Sequence, residues 1–324
     1  MTSAFDVLGI GNAIVDVISH ADDAFLGQHG LVKGSMMLID EQRAETLYAA
    51  MGPGIEVSGG SCGNTMAGIA SFGGKGAYVG KVRDDQLGAV FSHDLRSTGV
   101  SFETPSANAG PATARCLILV TPDAQRTMNT YLGACMGLGP ADIDTARVGS
   151  AQVTYVEGYL WDEPAAKQAV LKAFDAAHAA GRLVSITLSD AFCVHRYRDE
   201  FRDLVRNKVD ILFGNESEIK SLYEVESFEE AMEATRKEAK IAALTRSEKG
   251  SVVVKGNETW AVPAAPVAKV VDTTGAGDLY AAGFLFGYTR GKPLAECARL
   301  GGLAAAEIIS HVGARPEQAL RGLI

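Results

Sequence analysis

The stretch Asp272-Thr273-Thr274-Gly275-Ala276-Gly277-Asp278 has the residue types of an anion site with a base beside it. Gly275, Ala276 and Gly277 carry little or no side chain, so backbone N–H groups can close on a ligand. The apolar run 279–288 that follows reads as a helix with its positive end toward that ligand. Asp278 sets a carboxylate against the same anion, an arrangement suited to phosphoryl transfer. The competing reading is a plain helix cap by Asp272, Thr273 or Thr274, and the local chemistry leaves the two even. Other segments offer partners. Asn12 and Asp16 could grip vicinal hydroxyls or simply make a turn. Asn215 and Glu218, three apart at a helix start, display oxygens suited to a water-rich magnesium ion, or form a capping box, which the local pattern favours. Arg126 could clamp phosphate or stand solvated at a strand edge.

Gly59-Gly60-Ser61-Cys62-Gly63 matches G-x-S-x-G, and Asp278 and His311 follow in the right chain order, so a serine hydrolase with Ser61 as nucleophile competes. That motif needs a firm strand before it, and 54–57 is at best a short one. Otherwise the glycines let backbone approach a hydroxylated ligand that Asn64, at the start of a helix over 65–72, would hydrogen-bond. Gly9 and Gly11 begin a dinucleotide fingerprint, but Ile14 stands where its third glycine belongs. Gly74-Lys75 is followed by Gly76, which excludes a Walker A loop.

The elements that must position these residues follow from the patterning. Strands are expected over 5–11, 76–82, 115–121, 126–132, 152–157, 183–188, 209–213, 251–255 and 258–262, with a short irregular one in 31–40. Helices are expected over 41–51, 85–98, 164–180, 195–206, 276–289 and 293–311, and a turn at 122–125. From residue 150 strand and helix alternate, which means right-handed crossovers and a parallel sheet covered on both faces, with ligands at the carboxyl ends of the strands. The segments 189–190, 214–218 and 245–250 lie there.

Composition narrows the function classes. A net charge of −9 with no basic, aromatic-laced cluster argues against nucleic acid as partner, so any phosphate site is local. No apolar run approaches a membrane span, and the first residues lack signal-peptide character, so the cytoplasm is the expected compartment. Five scattered cysteines without a CxxC pair read as reduced and buried.

Residues 272–278, 59–64 and 215–218 occur in the order and spacing of the ribokinase-like (PfkB) carbohydrate-kinase family, which this chain resembles over essentially its whole length. The stretches 188–192, 209–216, 292–297 and 304–309 resemble its adenosine kinase branch. The resemblance implies a three-layer α/β/α fold with a mainly parallel central sheet and a small β-sheet lid. The large domain would comprise 1–13, 58–109 and 132–324, and the lid 14–57 and 110–131. It implies an ATP-dependent kinase acting on a primary hydroxyl, first of all the 5'-hydroxyl of adenosine, with a sugar such as ribose or fructose as the alternative. A nucleoside-binding protein without catalysis is a further alternative. Asp278 would be the base, Gly275, Ala276 and Gly277 the anion hole, and Arg126 a phosphate contact. Asn12, Asp16, Gly60, Ser61 and Asn64 would bind the acceptor, with Met36 and Leu38 around it. Asn215 and Glu218 would organise Mg2+, and Asn215, Thr245, Ser247, Gly250 and Thr274 would lie by the nucleotide. K+ is a further candidate ion, and monomer and homodimer are both open. Ser247 departs from the glycine many members have, and Thr274 from the asparagine frequent in animal-type adenosine kinases.

Overall fold

The computed structural model describes residues 3–123 and 125–324; Ala124, within the expected turn, lies outside them. In chain order the described strands are β1 (Phe5–Ile10), β2 (Ile14–His20), β3 (Met36–Leu38), β4 (Gly54–Ser58), β5 (Gly76–Val79), β6 (Ser101–Phe102), β7 (Ala114–Val120), β8 (Arg126–Tyr131), β9 (Ala151–Glu157), β10 (Leu183–Thr187), β11 (Ile211–Asn215), β12 (Ile241–Thr245), β13 (Ser251–Lys255) and β14 (Glu258–Val262). One sheet runs β14-β13-β12-β11-β10-β9-β1-β5-β6, parallel from β12 to β6 and finished by the antiparallel β13 and β14.

Alternation along β1 explains why both faces are covered: Val7 enters one buried cluster, Leu8 and Ile10 the other. Helices Ser61–Ser71, Gln86–Ser97, Ala276–Tyr288 and Leu294–Ile308 supply the first cluster, and Pro164–Ala179 and Arg198–Asn207 the second. The layers are therefore α/β/α, as expected. Gly9 and Gly11 serve this packing, because their α-carbons lie against Cys62 of helix Ser61–Ser71. They are glycines for helix-to-strand approach and not the start of a dinucleotide loop.

A second, smaller sheet runs β3-β8-β7-β2-β4. Val15, Val17, Leu117 and Leu119 on one face join the main core, while Ile14, Ile18, Cys116, Ile118, Val120 and Met128 gather on the other. The register sets Asp16 beside Cys116, Met36 beside Met128 and Leu38 beside Thr130. Paired residues share a face, so Asp16, Met36 and Leu38 all stand on the half-open side.

Several expectations shift. Residues 14–20 form a further strand, β2, in which the valines at 15 and 17 are buried and Asp16 between them faces the other way. The strand in 31–40 contracts to Met36–Leu38, and the one at 76–82 ends at Val79. The helix at 195–206 is two helices, Ala191–Arg196 and Arg198–Asn207, parted at Tyr197, whose φ of −123° and ψ of 28° leave the helical region. Helix Phe228–Glu238, started by the Ser227 and Glu230 capping box, was not foreseen. The five cysteines are free and buried. Among the described residues no helix is long and apolar enough to cross a membrane.

Helices Ala276–Tyr288 and Leu294–Ile308 meet through glycines: Gly283 rests on the Leu300 carbonyl, and a methyl at Gly301 would sit 2.7 Å from the Tyr280 carbonyl. Alanine would gain about 1 kcal/mol of helix propensity over glycine. Backbone cannot step aside as a side chain can, so the clash should win. Gly283→Ala is expected to lower stability by about 1–3 kcal/mol, read by urea unfolding; a stabilised variant would contradict this contact.

Candidate active site

The parallel strands β1, β9, β10, β11 and β12 end on one edge of the sheet, where Glu157 bonds Asn12 and the start of helix Ser61–Ser71, and that helix start in turn bonds Asp278 of helix Ala276–Tyr288. Gly275 precedes that helix in the left-handed region, with φ of 79°, and offers no side-chain cap. A residue with a Cβ would be strained there and would press on Ala314 at 2.9 Å. The Ala276 N–H turns back to the Thr273 carbonyl at 3.2 Å, whereas Gly277 has open space over its α-carbon. An uncapped helix start with room above it is a seat for an anion.

Asp278 lies in this first turn. Its Oδ1 accepts from the Ser61 hydroxyl at 2.6 Å and its Oδ2 from the Asn64 amide at 3.0 Å. Burial raises its pKa above the ordinary carboxylate value, while those two bonds and the charge of Arg315 oppose the rise. A carboxylate has about four acceptor sites, so an incoming hydroxyl can still be received.

Ser61 and Asn64 reach Asp278 because their helix begins at Ser61, four residues before the expected start. Gly60 makes the entry with φ of 80°, its α-carbon against the Asn12 carbonyl. The Cys62 N–H, which no local side chain caps, is taken by Glu157 Oε2 at 2.8 Å, and Glu157 Oε1 takes the Asn12 N–H at 3.0 Å. One carboxylate at the end of β9 thus ties β1 to the helix start. Burial pushes Glu157 up to about 7 despite these two bonds. Gly59 leaves its α-carbon against the Asp16 carboxylate. Asp16 is raised to about 6, by burial first, with Arg315 and Arg126 lowering it and Asp278 raising it.

Ser61 touches Asp278 with no imidazole between them, and His311 lies on Glu307 at 3.2 Å. The hydrolase triad of Ser61, His311 and Asp278 is therefore not assembled. Arg126 is likewise no solvated edge residue: its side chain is 8% exposed and pairs with Asp272. Asp272 also accepts from the Thr274 N–H at 3.0 Å and the Gly313 N–H at 2.9 Å.

On β11 the capping box is realised in full. Asn215 Oδ1 accepts from the Glu218 N–H at 2.9 Å, and Glu218 accepts from the Asn215 N–H at 2.9 Å and amide at 2.5 Å. Burial, with the charges of Asp190 and Asp278, raises Glu218 to about 7 against the Asn215 N–H bond. Thr245 pairs with Asn215 across the strands, which brings the 245–250 loop alongside. Ser247 has φ of 51°, a left-handed conformation that favours glycine. Gly250, with φ of 83°, abuts the Val262 carbonyl. Met36 and Leu38, 50% and 61% exposed, stand apart on the edge strand, joined to the rest by the face they share with Asp16.

Two residues escaped the sequence reading. Glu157 carried a signal, a charge closing an apolar parallel strand at its carboxyl end. Arg315 carried almost none. Its guanidinium donates to the carbonyls of Ser58 and Gly63, at 2.8 and 2.7 Å, and to the Ser58 hydroxyl at 2.8 Å, across more than two hundred residues of chain.

A pfkB family carbohydrate kinase model matches residues 37–319. The chain belongs to this family, and it is a phosphotransferase with an alcohol group as acceptor. The crystal structure of adenosine kinase from Sinorhizobium meliloti is 56% identical, superposes with a TM-score of 0.92 and covers 98% of each chain. That of a probable sugar kinase protein from Rhizobium etli is 53% identical, with a TM-score of 0.93 over 99% of this chain and 98% of the other. Adenosine kinase from Saccharomyces cerevisiae is 26% identical, over 97% of this chain and 96% of its own.

Glu157 yields a pH prediction. Its folded pKa of about 7 lies above the ordinary 4.5, so between these values the folded chain holds a proton the unfolded chain has lost, and stability falls as pH rises. Glu157→Gln cannot titrate. The stability advantage of the wild type over this variant should therefore shrink between about pH 5 and pH 7 in urea unfolding, and an advantage that grows would contradict the assignment.

Proposed function

We propose that the protein transfers the γ-phosphate of ATP to the primary hydroxyl of a nucleoside, the 5'-hydroxyl of adenosine before others, with residues 14–57 and 110–131 acting as a lid over the acceptor. Asp278 is the base. It receives the hydroxyl proton as the oxygen attacks the γ-phosphorus, since a carboxylate is too weak to ionise an alcohol beforehand. The backbone N–H groups of Gly275 and Gly277 hold the charge that develops on the phosphoryl oxygens, with Ala276, whose own N–H goes to the Thr273 carbonyl, spacing them. Arg126 joins them: its Nε is buried with no hydrogen-bond partner among the described residues, a donor that suits an anionic ligand. Asn12, Asp16, Gly60, Ser61 and Asn64 orient the acceptor, and Thr245, Ser247, Gly250 and Thr274 lie beside the nucleotide.

Magnesium fits this donor set only in hydrated form. Among the described residues no three His, Cys, Asp or Glu side chains gather as a metal cage, and both Glu218 oxygens are already bonded to Asn215. Asn215 and Glu218 would hold the ion through its waters, where it would neutralise charge on the β- and γ-phosphates.

The observation that carries the nucleoside reading is the half-open face beside Asp16. Ile14, Ile18, Cys116, Ile118, Met128, Met36 and Leu38 make a wall of apolar side chains there. A sugar alone presents mainly hydroxyls, whereas a base has a broad apolar face for such a wall. The likeness to the Sinorhizobium meliloti adenosine kinase supports the same acceptor, and the likeness to the Rhizobium etli protein keeps a sugar as the second reading.

The test is a panel of adenosine, guanosine, inosine, ribose and fructose assayed for ADP formation from ATP. Adenosine should give the highest kcat/KM; a sugar in first place would replace the nucleoside reading. Binding of adenosine without ADP formation would mark a protein that lost its chemistry. In the same assay Asp278→Asn should lower kcat at least about a hundredfold with acceptor binding near normal. Turnover within a few-fold of wild type would remove Asp278 from its role.

A further inference from the structure

Gly59 and Gly60 give the acceptor turn little intrinsic stiffness, and no side chain caps the helix it enters. Yet this turn decides whether Ser61 and Asn64 meet Asp278 and whether Gly59 lies under Asp16. What stiffens it comes from the far end of the chain. Arg315 bonds the Ser58 carbonyl at the entry and the Gly63 carbonyl at the exit, so one planar guanidinium spans the turn. Ser58 is fixed from its other side by Asp94, whose Oδ2 accepts from the Ser58 N–H at 2.8 Å and hydroxyl at 2.5 Å.

The segment presenting Arg315 also touches the anion hole. The Gly313 N–H binds Asp272, Ala314 packs on Gly275, and the Ile309 carbonyl accepts from the Val271 N–H at 2.8 Å. Residues 309–315 therefore brace both halves of the site. The charges agree with this placement, because Asp94, Asp16 and Asp278 lie within Coulombic reach of the one guanidinium.

We propose that Arg315 is a positioning residue that holds the 58–63 turn in register with the anion hole, and so sets where the acceptor hydroxyl stands relative to Asp278. The kinetic part of this inference rests on the kinase reading above; the clamp itself does not. Arg315→Met removes charge and fork, while Arg315→Lys keeps the charge and loses the two-ended grip.

The full-length variants are compared with the wild type by hydrogen exchange and by kinetics with the best acceptor of the panel. Peptides covering 58–65 should exchange at least about tenfold faster in Arg315→Met, with a smaller increase in Arg315→Lys. The acceptor KM should rise at least about tenfold in Arg315→Met and be partly restored by lysine, while the ATP KM stays within about twofold. Should Arg315→Met fail to fold, Arg315→Lys decides by the same two readouts. Wild-type exchange at 58–65 in the folded variants overturns the proposal, as does an ATP KM rising in step with the acceptor KM. Faster exchange in a protein whose wild type turns over no acceptor upholds the clamp and refutes the kinase reading, so the two failures are separable.

Discussion

A negative charge held at the open start of a buried helix is the constraint on which the rest of the structure depends. Burial works against the ionisation of Asp278, yet in its proposed role as base it must be ionised to receive a proton. Its neighbours resolve the conflict: one hydroxyl and one amide donate to it, and a guanidinium lies within Coulombic reach. The same helix packs glycine to backbone against Leu294–Ile308, so its axis cannot drift. The direction of the first turn is thereby fixed by close contact and not by the loop that leads into it.

Local capping and proposed chemistry are often weighed as rivals, and here they coincide. Asn215 and Glu218 satisfy each other in a capping box, and the bonds that stop the helix from fraying also fix a carboxylate raised to about 7 at the carboxyl end of β11. Asp272 shows the same economy. It accepts the backbone N–H groups of Thr274 and Gly313, around the proposed anion hole, while pairing with Arg126 from the second sheet.

How much of this was legible in the sequence depended on distance along the chain. The parallel sheet followed from alternation of strand and helix after residue 150, while spacing within single segments raised Asp278, Asn215 and Glu218 only as candidates beside a helix cap, and it was the family resemblance that gave them proposed roles. The start of the helix at Ser61 did not, because the Ser-Cys-Gly-Asn composition favours a loop and the group that takes the Cys62 N–H is Glu157, 95 residues away. Arg315 was illegible for the same reason. An arginine before a proline after a helix has many solvated counterparts, and only the folded chain shows that it grips Ser58. Residues 14–20 were missed because Asp16 interrupts an apolar run that is otherwise a half-buried strand.

The half-open wall beside Asp16 is perishable in a way the core is not. Met36 on that wall exposes half of its surface, while all five cysteines are buried. An oxidant in solution meets that thioether first, and a sulfoxide is polar where the wall is apolar. With that wall in its proposed role beside the acceptor, oxidative ageing would blunt the choice of acceptor while the fold, and Asp278 within it, stayed intact; what such a protein loses early is taste, not strength.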